Sequence, residues 1–440
     1  MQMRAHHPEL WREVDRQAAH VPAVYGGMDL TAMPERFTVE GAGEAMPGLE
    51  AMQAQVLADA SLVEMMAAYT LTGDPVADAY AARMDEIGFR PLVAMLERAC
   101  TQGLGAVPEA PPELGTFLAE MERTPDWIDM DLVHRGARLE RNQYAHLVPF
   151  AIRGAFLATF MNRYSALPMA LTGNLSDKLA ARRVHETATF FTLTVMPGAL
   201  GRHGAAFKAA AMVRLMHATV RVNVMRRPGT WDPAVYGVPI PQVDQMPAGQ
   251  IGSLLIAARA LRESRGFTED ERARIEIARY RCFLLGLPRA LLGETPAEIV
   301  RLMVARQTTL RSAFDDATCG VLVRGTLDAE LARDPTPVGL VDSQLERSFA
   351  KAFFIRHFLN GDSARAAAMG VRYTALDRHF ALLAALRIFT RLRFYAALAE
   401  IPVVRDVADR RLVGKLAGLL RRYGRAQFGS DGAAMRSAHG

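Results

Sequence analysis

The chain has 440 residues, of which 50% are hydrophobic and 22% are charged, and its formal net charge is +5. This composition excludes an intrinsically disordered protein and allows one large domain or two ordinary ones. Nearly all of the cations are arginine, and the densest basic stretch near the C-terminus has no interleaved aromatic residues, so we expect no nucleic-acid partner.

The N-terminal quarter of the chain predicts helices separated by short connectors. Abundant alanine, leucine, arginine and methionine favour helix nearly throughout. The predicted segments are a helix over Pro8–Ala19, helical periodicity over Leu49–Leu71 and Val76–Cys100, a Gly/Pro-rich connector over Thr101–Pro112, and a helix over Glu113–Arg123.

The central block, residues 130–227, contains a long apolar stretch and two predicted helices. Its predicted segments are an apolar stretch over Tyr144–Leu171, a break and N-cap at Gly173–Ser176, a helix over Asp177–Val195, and a helix over Lys208–Arg227. The Pro/Gly-rich segment Pro228–Asp244 that follows predicts an irregular connection.

The last part of the chain again predicts helices. Two helix starts have capping-box signatures, Thr268 with Glu271 and Thr295 with Glu298. Further helices are expected over Gln250–Arg262, Leu345–Phe358, Tyr373–Leu398 and Arg410–Tyr423. With no internal repeat and no clear linker, the sequence predicts one large all-α domain.

Cysteine usage and hydropathy indicate the compartment. Cys100, Cys282 and Cys319 are too far apart for a zinc-site spacing and give no disulfide framework, which fits buried free thiols in a reducing compartment. The longest apolar run, Leu147–Met161, is too short to span a bilayer and contains Arg153. We expect a cytoplasmic protein, and a peripheral membrane contact stays open.

One histidine stands near the middle of the Lys208–Arg227 helix. Arg214, His217 and Arg221 are at i, i+3 and i+7, and they project from one face. A neutral imidazole is a good ligand for iron, and the arginines suit a large anion such as the propionate edge of a haem. The alternative is a structural histidine bonded to a backbone carbonyl, between two surface arginines.

The preceding helix has a second polar face. Arg183, Glu186, Thr187 and Phe190 fall at i, i+3, i+4 and i+7. They predict either a pocket wall where an arginine, a carboxylate and a hydroxyl converge, or an ordinary surface Arg–Glu pair. Aromatic residues at 150, 156 and 160 would line a greasy channel or simply pack in the core.

Competing motifs fail on their spacing. His185-Glu186 lacks the second histidine of a zinc protease, because position 189 is a threonine. The glycine-rich segment Gly198–Gly204 lies between two helices rather than after a strand, so it predicts a turn and not a dinucleotide site.

Taken together, the two helices resemble a known family. The segments that carry the resemblance are Arg183-Val-His-Glu-Thr187 with Phe190, Met212-Val-Arg-Leu-Met-His217-Ala-Thr-Val-Arg221, and Trp231 with Gly237-Val-Pro-Ile-Pro-Gln242. They look like the catalytic domain of latex-clearing protein, the rubber oxygenase group, whose wider family includes the mycophenolic-acid-pathway oxygenase of fungi. The resemblance covers residues 110–360.

The resemblance implies a fold and a cofactor. The fold would be a single large globin-like helical domain with an N-terminal extension (1–109), a core (110–360) and C-terminal helices (361–440). A non-covalent haem b would have His217 as its proximal iron ligand, flanked by Arg214 and Arg221. Arg183 and Thr187 would be distal, and Glu186 stands where rubber-cleaving members have a lysine.

The expected function is therefore a haem-b-dependent oxygenase that acts with O2 on a hydrophobic, isoprenoid-like or unsaturated substrate. The expected catalytic residues are Arg183, Glu186 and Thr187. A non-catalytic haem or gas-binding protein and a cofactor-free helical lipid-binding protein are the alternatives. A homo-oligomer is compatible with the apolar helices.

Overall fold

The computed structural model describes residues 4–43, 46, 48–172, 177–331 and 336–424. No strand is present among these residues, and their extended pairing is limited to two isolated bridges, Phe37 with Leu310 and Gly43 with Arg311. The all-α prediction is confirmed. The predicted break at Gly173–Ser176 lies outside the described residues.

Helices follow one another along the whole described chain. In order they are α1 (Pro8–His20), α2 (Pro22–Tyr25), α3 (Glu50–Ala58), α4 (Ala60–Thr70), α5 (Pro75–Ala82), α6 (Met84–Ile87), α7 (Phe89–Gln102), α8 (Pro112–Glu122), α9 (Met130–His146), α10 (Val148–Ala158), α11 (Arg163–Leu171), α12 (Asp177–Thr194), α13 (Ala205–Met225), α14 (Pro233–Tyr236), α15 (Gln242–Arg262), α16 (Glu269–Leu284), α17 (Pro296–Thr309), α18 (Val321–Asp328), α19 (Pro337–Phe358), α20 (Ser363–Ala368), α21 (Ala375–Ala399) and α22 (Pro402–Tyr423).

Several predicted elements are confirmed with boundaries that move by a few residues. The predicted first helix is α1, and the predicted arginine and histidine helices are α12 and α13. Both capping boxes form, with Thr268 and Glu271 opening α16 and Thr295 and Glu298 opening α17. Reciprocal side-chain bonds to the first free backbone N–H groups explain why these starts are readable in the sequence.

The two segments of predicted helical periodicity are helical, and each is divided where a polar residue or a glycine interrupts it. The Leu49–Leu71 segment divides at Asp59, whose carboxylate accepts the Leu62 backbone N–H (3.0 Å) and caps α4. The Val76–Cys100 segment breaks at Gly88, which has φ +89°.

The predicted irregular segment Pro228–Asp244 is wrong in part. It contains the short helix α14, and α15 begins at Gln242 rather than at the predicted residue 250. α19 and α22 also begin earlier than predicted, each with proline in its first turn. Proline needs no backbone N–H partner there, so it marks a helix start rather than a loop.

The chain divides into two compact units that alternate in sequence. The first unit comprises Met1–Gly136 and Leu200–Ser312, and the second comprises Ala137–Ala199 and Ala313–Gln427, within the described residues. The proposed division at residues 109 and 360 stays a prediction.

In the first unit, α13 is the central helix. It packs against α5 and α7, while α15 packs on α16 and α17, and α17 on α3 and α4. Fourteen of its 21 residues, from Ala206 to Val224, are buried, so this helix has almost no solvent face. A helix buried on nearly every side can position a side chain firmly.

In the second unit, α10 packs on α19, α19 on α21, and α12 on α18 and α22. Its largest apolar cluster includes Phe156, Phe160, Val184 and Phe354. Gly154 allows the close approach of α10 to α19, because a Cβ there would lie 2.4 Å from the Ala350 carbonyl oxygen.

The three cysteines are buried free thiols, as predicted. Within the described part of the chain, no helix is both long enough and apolar enough to cross a bilayer.

Candidate functional site

The two arginines beside His217 are buried. Arg214 and Arg221 are 2% and 0% exposed, so the alternative with two surface arginines is wrong. A buried guanidinium is tolerated only when carboxylates and hydrogen bonds replace its water. Both arginines find such partners at the start of α5.

Arg214 binds Asp74 through two bonds. Its Nε donates to Oδ2 (2.5 Å) and its Nη2 donates to Oδ1 (2.8 Å), and Nη2 also donates to Glu120 (2.9 Å). The guanidinium lies over the Phe117 ring at 5.1 Å. Burial alone would raise the pKa of Asp74, but the attraction of Arg214 brings that pKa below its ordinary value. Asp74 is therefore an ionised partner of Arg214.

Arg221 binds Asp78 through one bond, one turn further along α5. Its Nε donates to Asp78 Oδ1 (2.7 Å) and its Nη1 donates to the Ile240 carbonyl (3.1 Å), while the Tyr25 hydroxyl donates to Asp78 Oδ2 (2.5 Å). Burial raises the pKa of Asp78 to about 6, against the attraction of Arg221. The Arg–Asp cluster is defined here as Tyr25, Asp74, Asp78, Arg214 and Arg221.

The Arg–Asp cluster fixes α13 at two points. Arg214 and Arg221 are two turns apart on α13, and each is tied to a carboxylate of the α4–α5 junction or α5. Rotation of α13 about its axis would break both pairs. His217, placed between the two points, thereby has its direction set. The expected contact of these arginines with a cofactor stays a prediction.

His217 is hydrogen bonded to a glutamine of α15. Its Nδ1 lies 3.1 Å from Gln245 Oε1, and Gln245 Nε2 donates to Gln242 Oε1 (3.3 Å). Gln242 Nε2 in turn donates to the carbonyl oxygens of Gly73 (2.7 Å) and Gly286 (3.1 Å). We call this chain, from the two carbonyls through Gln242 and Gln245 to His217, the amide relay.

The amide relay determines the tautomer of His217. Because carbonyl oxygens only accept, the Gln242 amide nitrogen must face them, and its Oε1 is left to accept from Gln245. Gln245 then presents its own Oε1 to the imidazole, so Nδ1 carries the proton. Nε2 of His217 holds the lone pair, which is the form that ligates a metal.

α12 pairs its charges within one helix. Glu186 accepts from Arg182 Nε (3.0 Å) and from Arg183 Nη1 (3.2 Å). The Glu186 and Arg183 side chains are 7% and 12% exposed, so this is not the surface pair of the alternative interpretation. Burial lowers the pKa of Arg183, and Glu186 opposes that shift.

Arg183 also borders a small cavity of the second unit. The other lining residues are Phe156, Phe160, Met169, Ala180, Val321, Leu322, Gly325 and Thr326. The Arg183 guanidinium therefore lies at the edge of a mainly apolar cavity. Thr187 is half-buried, and Phe190 is buried against the edge of Phe191.

The predicted residues thus form two groups, one in each unit. His217, Arg214 and Arg221 lie on α13, and Arg183, Glu186 and Thr187 lie on α12. No group of three or more His, Cys, Asp or Glu residues able to hold a metal ion occurs among the described residues.

Sequence reasoning missed the partners of the histidine helix. Asp74 and Asp78 are one turn apart at i, i+4, facing arginines that are two turns apart on α13, and an acid pair of this kind is a searchable signal. Gln245 carries a weaker signal, since it is three residues after a glutamine at a helix start.

A solved structure defines the class of fold. The structure titled latex clearing protein in the closed state is similar to this chain with a TM-score of 0.55 and 19% sequence identity. The likeness covers 80% of this chain and 91% of that chain. The protein therefore has an all-helical fold of this type.

The family follows from the sequence. Residues 142–392, more than half of the chain, match the family described as "ER-bound oxygenase mpaB/B'/Rubber oxygenase, catalytic domain". The chain belongs to this family of oxygenases, and both α12 and α13 lie inside the matched range. No curated protein matches the chain.

Proposed function

We propose that the protein is a haem-b-dependent oxygenase that acts with O2 on a hydrophobic, isoprenoid-like or unsaturated substrate, with His217 as the proximal iron ligand. Family membership supports the reaction class. The observation that carries the cofactor assignment is the hydrogen bond between His217 Nδ1 and Gln245 Oε1. A histidine held in this way fits a haem iron, because the bond at Nδ1 orients the ring and makes Nε2 the nitrogen that would ligate iron.

Bound haem would supply the iron that binds and activates O2. The residues of the first unit would hold it: His217 by ligation, Gln245 by orienting the imidazole, and the Arg–Asp cluster by fixing α13. We assign this positioning role to Arg214 and Arg221, because their guanidinium groups already bind carboxylates of the protein.

The residues of α12 would act on oxygen and substrate. Arg183 would offer a permanent positive charge beside an apolar cavity, and Thr187 would donate a hydrogen bond from its hydroxyl. Glu186, held by two arginines, would accept a proton at a carboxylate oxygen or set the direction of Arg183. Because the rubber-cleaving members have a lysine here, we propose a related oxygenation and not rubber cleavage itself.

We also propose a cytoplasmic location, supported by three buried cysteines that form no disulfide within the described part of the chain.

Haem binding is tested by reconstituting the purified protein with haemin and recording the visible spectrum and the iron content. We expect one haem per chain, and we expect His217→Ala to lose the shifted Soret band. His203→Ala is the matched control, because His203 Nδ1 is bonded to the Cys100 carbonyl (3.1 Å) and His203 precedes the start of α13, more than three turns before His217. Equal haem affinity in His217→Ala and the unaltered protein would contradict the ligand assignment.

Turnover is tested separately by incubating the reconstituted protein with squalene and O2 and analysing the products by mass spectrometry. Oxygenated products that disappear in Arg183→Gln would support the oxygenase. Haem binding without products from any polyene tried would favour a gas-binding protein, and no haem binding would favour a cofactor-free lipid-binding protein.

A further inference from the structure

Helix α21 of the second unit is apolar on two opposite faces. One face packs into the core, with Ala384 and Ile388 fully buried. The other face carries five large residues that are each between 51% and 68% exposed, which we call the apolar stripe: Leu382, Leu383, Leu386, Phe389 and Phe394. At 100° per residue, the five fall on one side of the helix.

The apolar stripe continues onto neighbouring residues of the same unit. Leu376, 62% exposed, extends it along α21. The start of α19 adds Val338 and Val341, which are 72% and 50% exposed and lie close to α21, because Asp342 forms an ion pair with Arg387. A contiguous exposed patch of this kind marks a contact surface.

Helix α21, which bears the apolar stripe, and its neighbour α22 are together strongly basic. Residues 375–423 contain ten Arg and Lys residues and four acids, Asp377, Glu400, Asp406 and Asp409, which gives a formal charge of +6. The whole chain has +5, so α21 and α22 carry more net positive charge than the entire protein. Arg391 and Arg393 are exposed and lie beside or within the apolar stripe.

We propose that this surface adsorbs onto an anionic lipid membrane. The apolar stripe would enter the boundary between headgroups and acyl chains, and the arginines would meet the lipid phosphates. An apolar helix face bordered by arginine is the pattern of a helix that lies in the plane of a membrane.

Charge argues against a second copy of the chain as the occupant. A symmetric dimer would place the same patch on both subunits, so the exposed arginines beside the stripe, Arg391 and Arg393, would face their own copies. Anionic lipid removes that repulsion. Adsorption is independent of the proposed oxygenase function, although a membrane would also be the phase in which a hydrophobic substrate dissolves.

The test is sedimentation of the full chain with vesicles of phosphatidylcholine alone and of phosphatidylcholine mixed with phosphatidylglycerol. We expect binding to the mixed vesicles, little binding to phosphatidylcholine, and release by salt. Leu382→Gln with Leu386→Gln should weaken binding by about ten-fold or more. Arg391→Gln with Arg393→Gln should weaken it on the order of ten-fold, from the loss of two charges near the surface.

Matched controls make the same chemical changes on the first unit. Leu104→Gln with Leu255→Gln removes two leucines that are 40% and 41% exposed, and Arg90→Gln with Arg123→Gln removes two exposed charges. Neither pair should change vesicle binding. All of these positions are exposed, and circular dichroism checks that each variant folds.

Three results would overturn the proposal. They are equal binding to both vesicle types, unchanged binding of the Leu382 and Leu386 variant, and the same loss of binding in the controls. Light scattering without vesicles adds a fourth: a dimer that dissociates in the Leu382 and Leu386 variant would assign the apolar stripe to a second copy.

Discussion

Helices α13 and α12 both carry candidate site residues, but their charges are balanced in different ways. On α13, Arg214 and Arg221 bind carboxylates that come from outside the helix, and all four side chains are almost completely buried. On α12, Arg182 and Arg183 share Glu186, three and four residues away on the same helix. The first arrangement fixes a helix against its neighbour, whereas the second fixes only side chains.

The difference indicates which part of the site is rigid. An external pair resists rotation and displacement of α13, so the direction of His217 is part of the fold. The ion pair between Arg183 and Glu186 lies within α12 and moves with that helix. Arg183 can therefore exchange Glu186 for another anion. A ligand-holding helix and a reacting helix need these opposite properties.

The largest expected effect is on stability, in the Arg–Asp cluster. Asp78→Ala would leave Arg221 as a buried charge without its carboxylate, and we expect a loss of about 3–5 kcal/mol in the free energy of unfolding. Chemical denaturation measures it. Asp270→Asn, which breaks the exposed pair with Arg135, is the control and should change stability by less than about 0.5 kcal/mol. Equal effects at the two sites would show that the cluster does not fix α13.

The amide relay gives the next largest effect, on cofactor affinity. Gln245→Leu removes the acceptor of the His217 Nδ1–H bond, and haem affinity should fall about 10–100-fold. The reduction potential should rise in Gln245→Leu and fall in Gln245→Glu, because a stronger acceptor makes the imidazole a better donor to iron.

Gln250→Leu is the matched control for the relay. Gln250 is buried on the same helix and donates to the Leu291 carbonyl (2.8 Å), so the variant loses a comparable hydrogen bond outside the relay. Similar shifts of potential in both variants would mean that Gln245 acts only through the stability of α15.

A smaller effect is expected on α12. Glu186→Ala removes the partner of Arg183, whose side chain keeps 12% exposure, and we expect a loss of about 1 kcal/mol in the free energy of unfolding. Activity should change far more than stability. A loss as large as that of Asp78→Ala would remove the contrast between the two helices.

The smallest effect is expected at Thr189 of α12. Its hydroxyl oxygen is buried and has no hydrogen-bond partner among the described residues. Thr189→Val should therefore leave the free energy of unfolding within about 1 kcal/mol or raise it. Thr70→Val is the comparison. The Thr70 hydroxyl donates to the Met66 carbonyl (2.8 Å), so its removal should lower the free energy of unfolding. Lost activity with unchanged stability would place Thr189 at the reacting face.

Local signals made much of the fold predictable. The capping boxes at Thr268 and Thr295 act within four residues, and the 3.6-residue periodicity of α12 and α13 needs no tertiary knowledge. The break at Asp59 was not predicted, because an aspartate inside an apolar pattern becomes a helix cap only once the chain turns there.

The candidate site was less predictable, because its supporting contacts are far apart in sequence. Asp74 lies 140 residues from Arg214, and the amide relay joins α13, α15 and the α4–α5 junction. The sequence singled out His217 by its type and position. It could not indicate that Gln245 sets the tautomer, since an amide pair has no characteristic spacing.

Gly73 belongs to both networks of the first unit. Its carbonyl oxygen begins the amide relay, and a Cβ at this position would lie 2.1 Å from the Tyr25 hydroxyl oxygen and 3.1 Å from Arg221 Cδ. Any side chain there would disturb the Arg–Asp cluster and the orientation of His217 together. In evolutionary terms, Gly73 is a position where thermal tolerance and the orientation of His217 cannot be tuned independently, so selection for either one would constrain the other.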